Sequence, residues 1–315
     1  MSAIPTWSNR RYVLPVAGAG AAALVAALLV WPPAGRADAG RSSGGDRGAG
    51  AFTVVAAGDI AEQCTESDSG CEHPRTAALT EKIDPSLVLT MGDNQYDDAR
   101  TEDFERYYAR TWGRFKDRTR PTAGNHETYD PDGALTGYRN YFGDIAYPRG
   151  KPYYSFDKGD WHFVALDSND VGDEQLDWLR DDLAATGKQC VAAYFHHPLF
   201  SSGGHGNDPV GKPFWDLLYE NGAELVLNGH DHHYERFAPQ TPDAEADDDR
   251  GIVQIVGGVG GAHPYDIEDE QPNSEKRISG SFGVLELSFE DRGFSWEFVN
   301  ADGETEDSSP EYRCH

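Results

Sequence analysis

Side chains that bind metal ions follow five apolar runs of this 315-residue chain, each near the point where a run ends. They are Asp59, then Asp93 with Tyr96, Asn125 with His126, His196 with His197, and His230 with His232. Carboxylates, an amide oxygen and imidazoles suit divalent and trivalent metal ions of hard or borderline character. Each piece alone is common in turns and loops, but the joint pattern predicts one metal site.

The apolar runs are typical of buried strands, because they lack the alternation of a half-exposed strand. They are Thr53–Ala57, Ser86–Met91, the weaker Arg120–Ala123, His162–Leu166, Val191–Phe195, Glu224–Leu227 and Ile252–Val256. Between these runs lie three stretches whose sequence is typical of helices, Thr101–Asp117, Asp173–Ala185 and Val210–Glu220. Strands that alternate with helices predict an α/β fold, in which ligands bind beyond the carboxyl ends of the strands.

Glycines before the candidate ligands and a C-terminal hairpin are two further local features of the predicted fold. Glycines precede Asp59, Asp93, Asn125 and His230, and we expect them to let the backbone turn sharply where each strand ends. Near the C-terminus, residues 284–289 and 294–299 are expected to form an antiparallel hairpin.

In their order along the chain, the five pieces resemble the motifs of the calcineurin-like metallophosphoesterases. They read Gly-Asp, Gly-Asp-x-x-Tyr, Gly-Asn-His-Glu, His-x-Pro and Gly-His-x-His. Ala61 stands where many members carry a ligating His, and Tyr96 stands where the purple acid phosphatase branch carries a ligating Tyr. Residues 229–236 also resemble that branch. The resemblance implies a four-layer α/β/β/α sandwich with two mixed β-sheets.

The resemblance also implies two metal ions that share Asp93 as a bridging ligand. Fe3+ is expected in a first site completed by Asp59, Tyr96 and His232. Fe2+, Zn2+ or Mn2+ is expected in a second site completed by Asn125, His196 and His230. His126 is expected to contact the phosphoryl group or protonate the leaving group, and His205 to contact phosphate. His197 stands where relatives carry other residues, so it either contacts substrate or packs.

The expected reaction is the hydrolysis of a small phosphate monoester by a metal-bound hydroxide, as in an acid phosphatase. Two metal ions clamp the ester oxygens and lower the pKa of bound water. The nearest alternative is a phosphodiesterase on the same metals. A non-catalytic metal-binding surface protein is a further alternative. It is disfavoured because all seven predicted ligand positions hold residues able to bind metal.

The N-terminus resembles an export signal. Arg10 and Arg11 precede an uncharged stretch, and Ala37-Asp38-Ala39 offers a small-residue cleavage site. We predict a signal peptide at residues 1–39, with features of the twin-arginine type, a flexible linker at 40–50 and a metallophosphoesterase domain at 51–315. An uncleaved membrane anchor is the alternative. Either outcome places the domain outside the cytoplasm.

The charge argues against a nucleic-acid partner, and the cysteine content suggests disulfides in an exported protein. The chain holds 27 basic and 54 acidic residues, so a broad basic face for nucleic acid is not expected. The four cysteines, an even number, suggest two disulfides. Of three connectivities, we favour Cys64–Cys71, which closes a short loop, and Cys190–Cys314, which ties down the C-terminus. No sequence feature predicts a particular oligomeric state.

Overall fold

The computed structural model describes residues 50–315, so the predicted signal peptide and all but the last residue of the predicted linker lie outside the described residues. In chain order the strands are β1 (Phe52–Ala57), β2 (Leu87–Met91), β3 (Thr119–Thr122), β4 (Tyr154–Lys158), β5 (Trp161–Ala165), β6 (Cys190–Tyr194), β7 (Leu225–Asn228), β8 (Tyr234–Phe237), β9 (Val253–Gly257), β10 (Ser274–Ile278), β11 (Gly283–Glu290), β12 (Gly293–Asn300), β13 (Thr305–Ser308) and β14 (Tyr312–Arg313).

The helices are shorter and lie between the strands. The α-helices are α1 (His73–Ile83), α2 (Thr101–Arg106), α3 (Asn125–Thr128), α4 (Thr136–Phe142), α5 (Asp173–Ala185) and α6 (Lys212–Glu220). Short 3-10 helices occupy Tyr108–Arg110, Trp112–Arg118, Gly143–Ile145 and Pro209–Gly211. Within residues 50–315, no helix combines the length and apolar character needed to span a bilayer.

The strands form two mixed sheets. The first has the order β13-β12-β11-β1-β2-β3, with β14 paired to β12, and its β1, β2 and β3 are parallel. The second has the order β10-β8-β9-β7-β6-β5-β4, and its β5, β6, β7 and β9 are parallel. The predicted hairpin is confirmed as β11 and β12.

Successive side chains of a strand point to opposite faces of its sheet, so each sheet packs against a different layer on each face. Val54 of β1 points into an apolar cluster shared with Phe163 of β5, so the two sheets pack face to face. The next residue, Val55, points outward and packs in a second cluster with residues of α1, α2 and α4. On the outer face of the second sheet, Val226 packs with Leu179 of α5. The fold is therefore a four-layer α/β/β/α sandwich, as expected.

The sequence-based boundaries hold for most strands and for α5, but the predicted helix Thr101–Asp117 is wrong. The structure divides this stretch into α2 and two 3-10 helices, with non-helical backbone at Thr111. The backbone N–H of Tyr108 donates to Oε1 of Gln95, a buried side chain from outside the helix. That tertiary hydrogen bond replaces the regular helical one at the break.

Both predicted disulfides are present, Cys64–Cys71 and Cys190–Cys314. No cysteine is free among the residues that the structure describes. The second disulfide joins the start of β6 to the penultimate residue of the chain. The preferred connectivity is thus confirmed.

Candidate metal centre

The five predicted strand ends meet at one edge of the sandwich. Backbone hydrogen bonds join the loops that follow them. Gly58 N–H donates to Gly257 O at 3.0 Å, Asp59 N–H donates to Gly92 O at 3.1 Å, and Gly229 N–H donates to His196 O at 3.0 Å. These bonds link the ends of strands from both sheets, so the side chains that follow them share one crevice.

The first predicted ligand set converges on a single point. The phenol oxygen of Tyr96 lies 3.0 Å from Oδ1 of Asp59, 3.1 Å from Oδ2 of Asp93 and 3.0 Å from Nε2 of His232. Nε2 of His232 is also 3.2 Å from Oδ1 of Asp59. All four side chains are buried. Four donor atoms thus lie within reach of one ion.

The second predicted set converges beside the first. Nε2 of His196 lies 2.9 Å from Oδ1 of Asn125, 3.2 Å from Nδ1 of His230 and 3.3 Å from Oδ2 of Asp93. Asp93 Oδ2 is therefore close to donor atoms of both sets. The structure brings together all seven predicted ligands.

The first set gathers two carboxylates around one hydroxyl group. The Tyr96 hydroxyl carries one proton but faces two carboxylate oxygens and an imidazole nitrogen. His232 places its other nitrogen, Nδ1, 2.6 Å from the carbonyl oxygen of His263, so Nδ1 is the donor there and Nε2 points into the cluster. Two carboxylate oxygens, a phenol oxygen and an imidazole nitrogen therefore converge in a buried space, an arrangement that suits a bound cation.

The electrostatics of the second set also favour a cation. Although burial opposes ionisation of Asp93, the imidazoles of His196 and His126 hold the pKa of this carboxyl below its usual range. Burial lowers the pKa of His196, but the carboxylates of Asp93 and Asp59 outweigh burial and raise it to about 10. Burial and the neighbouring imidazoles lower the pKa of His230 to about 2. The neutral His230 ring keeps a lone pair for a metal ion.

Outer contacts orient the ligand atoms. His196 Nδ1 donates to Met91 O at 2.9 Å, which leaves Nε2 for the cluster. The side-chain amide of Asn125 donates from Nδ2 to the hydroxyl of Tyr129 at 3.0 Å, which directs Oδ1 towards His196. Such contacts fix tautomers and rotamers before an ion binds.

The glycines next to the ligands act differently from the prediction. Of the four, only Gly92 has a left-handed backbone, with φ of 85°. The predicted ligands Asp59, Asp93 and His230 themselves adopt positive φ, at 59°, 46° and 71°. A side chain at Gly229 would lie 2.5 Å from Oδ2 of Asp59. The prediction is therefore corrected, because these glycines chiefly permit close approach rather than sharp turning.

Three further histidines border the cluster. Nδ1 of His126 donates to Asp97 O at 2.6 Å, and its Nε2 lies 3.9 Å from Oδ2 of Asp93. The ring of His197 lies 4.6 Å from that of His230. The ring of His205 lies 4.1 Å from that of His230 and is partly exposed. All three predicted substrate-contacting residues therefore lie beside the ligands.

Several residues at the site were given no role by sequence reasoning. The carboxylate of Glu127 accepts backbone N–H groups from both ligand loops. Tyr265 stacks on His232 with ring centres 4.0 Å apart. Tyr129 is exposed beside His126. Only Glu127 had a local signal, since a Glu at the third position of a helix is typical of a capping box.

Comparison with known proteins agrees with this fold and site. The model of the calcineurin-like phosphoesterase family matches residues 52–234, more than half of the chain, and the chain therefore belongs to this family of hydrolases. Among curated relatives it is similar to purple acid phosphatase 15 of Arabidopsis thaliana, with 26% identity over 289 residues, covering 78% of this chain and 53% of the relative. This similarity places the chain in the purple acid phosphatase-like branch.

A second curated relative supports the same branch, and a solved structure shares the fold. Purple acid phosphatase 23 of Arabidopsis thaliana is 32% identical over 196 residues, covering 49% of this chain and 42% of the relative. The structure of a purple acid phosphatase from yellow lupin seeds shares the fold, with a TM-score of 0.69 at 21% identity, covering 82% of this chain and 53% of that one. The chain thus spans about half the length of the relatives that it matches.

Proposed function

We propose that this chain is an exported phosphoesterase that uses two metal ions to hydrolyse phosphate monoesters, as acid phosphatases do. The observation that carries the proposal is the position of Asp93 Oδ2, 3.1 Å from the Tyr96 oxygen and 3.3 Å from Nε2 of His196. An oxygen in that position can serve both ligand sets. The family and the named purple acid phosphatase relatives support this activity.

When bound, the two ions supply positive charge to the phosphate oxygens and acidify the water that attacks phosphorus. We propose that the set of Asp59, Tyr96 and His232 holds Fe3+, because a phenolate oxygen suits a hard ion. The set of Asn125, His196 and His230 is proposed to hold Fe2+, Zn2+ or Mn2+, because imidazole suits borderline ions.

The bordering histidines are proposed to handle the substrate. Because Nδ1 of His126 donates to a backbone carbonyl, Nε2 is the atom that contacts the phosphoryl group or delivers a proton to the leaving oxygen. Nδ1 of His197 lies 2.8 Å from the hydroxyl of Ser168, and burial lowers the pKa of His197 to about 3. His197 therefore contributes a neutral hydrogen bond to phosphate, and His205 contacts the same group from the side of His230.

The first experiment compares turnover of an aryl phosphate monoester with turnover of the matching diester. It uses protein from Gly40 onward, with metal content measured, at acidic and mildly alkaline pH. We expect monoester hydrolysis at acidic pH. Asp93→Asn should lower kcat/KM by at least about 100-fold, because it weakens the bridging ligand. Asp132→Asn, at an exposed carboxylate, is the matched control and should retain activity.

Each outcome points to one function. Preference for the diester would make the protein a phosphodiesterase on the same centre. Hydrolysis of neither ester by metal-loaded protein would favour the non-catalytic metal-binding alternative. Retained activity in Asp93→Asn would contradict the bridging role.

Export is proposed from the N-terminal pattern and is supported by the two disulfides, which form in oxidising compartments. The mature protein isolated from the medium or the cell envelope should begin at Gly40. Recovery of the full-length chain from membranes would support the uncleaved anchor instead. N-terminal mass spectrometry distinguishes these outcomes.

A further inference from the structure

Asp231 stands between the predicted ligands His230 and His232, but its side chain serves a different neighbour. The carboxylate is fully buried. Oδ1 accepts the backbone N–H of His205 at 2.9 Å and lies 3.1 Å from Nδ1 of the same residue. Oδ2 accepts a short hydrogen bond from the hydroxyl of Ser201. Two of the three contacts of this carboxylate are therefore made to His205.

These contacts determine which nitrogen of His205 is available. A carboxylate oxygen only accepts hydrogen bonds, so Nδ1 must carry the proton and Nε2 is the free atom. The ring lies against His230, with centres 4.1 Å apart and planes inclined by 33°. Because the side chain of His205 is 44% exposed, its rotamer is not fixed by burial alone.

The loop that carries His205 has a second anchor besides Asp231. Ser202 donates its backbone N–H to Glu235 at 2.8 Å and its hydroxyl to the same carboxylate at 2.5 Å. Glu235 is fully buried and does not contact His205. Glu235 thus anchors the loop without contacting the imidazole, whereas Asp231 both anchors the loop and orients the imidazole. A mutation that weakens only the Glu235 anchor therefore separates loop anchoring from orientation of the imidazole.

We propose that Asp231 is a positioning residue that holds Nε2 of His205 towards the phosphate group beside His230. The identity of the phosphate ligand rests on the proposed function. Removing the carboxylate frees the ring to rotate and to exchange tautomers, and phosphate loses one oriented contact. The effect of Asp231 on phosphate binding therefore passes through His205 and disappears when His205 is absent.

The test is a double-mutant cycle of Asp231→Asn and His205→Ala, with variants compared at equal metal content. Asp231→Asn keeps the side-chain volume, and Asp231→Ala repeats the test without an amide. In the wild-type background, Asp231→Asn should raise KM for an aryl phosphate and the inhibition constant of inorganic phosphate about 10-fold, and should change kcat less than about 3-fold. In the His205→Ala background it should change both constants less than about 2-fold.

A second readout does not depend on turnover. In metal-free protein labelled with 15N-histidine, long-range 1H–15N spectra should show His205 protonated at Nδ1, and His205→Ala assigns the signal. Asp231→Asn should produce a mixture of tautomers. Ser202→Ala is the matched control, because it weakens the loop anchor and leaves the tautomer unchanged.

Some results would overturn the proposal. They are additive effects of Asp231→Asn and His205→Ala, an unchanged His205 tautomer in Asp231→Asn, or an equal rise in the phosphate constant for Ser202→Ala. If wild-type protein hydrolyses no ester, the proposed function fails. The tautomer of His205 is measured without turnover, so it still tests whether Asp231 orients His205.

Discussion

The carboxylate of Glu127 offers a quantitative test of how the two ligand loops are held. Oε2 accepts the backbone N–H groups of Gly124 at 2.6 Å and Asp93 at 3.0 Å. Oε1 accepts those of Asn94 at 2.8 Å and Gln95 at 3.2 Å. The side chain is fully buried, so water cannot replace these bonds.

The change Glu127→Gln preserves shape but not hydrogen bonding. One amide oxygen can still accept two N–H groups, and the amide nitrogen then meets the other two donors. Hydrogen bonds to charged groups contribute about 1.5–3 kcal/mol each, so the loss of two costs roughly 3–6 kcal/mol. Removing the charge also removes its desolvation cost. We therefore expect the lower end of that range, about 3 kcal/mol.

The assay is thermal unfolding followed by tryptophan fluorescence with a chelator present, so that metal loss does not contribute. A domain of this size changes its Tm by about 2 °C per kcal/mol, which gives a decrease of about 6 °C. The control is Glu105→Gln at an exposed carboxylate, which should change stability by less than about 0.5 kcal/mol. A Tm within 2 °C of wild type for Glu127→Gln would refute the role assigned to Glu127.

Three other predictions follow from the disulfides, a buried acid and the metal centre. Replacing Cys190 and Cys314 by Ser should cost about 2.5 kcal/mol more than replacing Cys64 and Cys71, because the closed loops span 124 and 7 residues; equal losses of Tm would contradict this. Burial raises the pKa of Glu224 to about 7. The folded state therefore retains this proton between pH 4.5 and 7 while the unfolded state loses it, so stability falls across that window. Glu224→Gln should abolish this fall of up to about 3 kcal/mol in urea unfolding, and parallel pH profiles for the two proteins would contradict it. Removal of metal should abolish binding of inorganic phosphate, measured by calorimetry. Undiminished binding would show that the histidines alone can bind phosphate.

The positions of the candidate ligands were predictable because each residue follows a locally recognisable element. The strand before Asp59 and the strand before His196 are apolar runs that end where polar residues begin, and strand direction then places both side chains at one edge. The α5 helix was predictable for the same reason, since its apolar spacing is regular. Order along the chain and residue type were sufficient for these features.

The features that were missed depend on partners distant in sequence. The hydrogen bonds of Glu127 cross 34 residues to Asp93, and those of Asp231 cross 26 residues to His205. The helix α1 was missed because its buried face is partly polar. Thr76 is fully buried there, and its hydroxyl donates to Gly260 O at 2.6 Å. No local pattern of hydropathy identifies such a helix, because its burial depends on a tertiary hydrogen bond.

The acidic charge of the chain bears on how the candidate site could bind phosphate. A protein with 27 basic and 54 acidic residues repels an anionic substrate at long range. Within residues 50–315, no lysine or arginine makes a hydrogen bond or ion pair with the seven predicted ligands. His197 and His230 are held neutral by burial and by neighbouring imidazoles. Under the proposed function we therefore expect positive charge for phosphate to come from bound metal ions, which the buried carboxylates of Asp59 and Asp93 would hold.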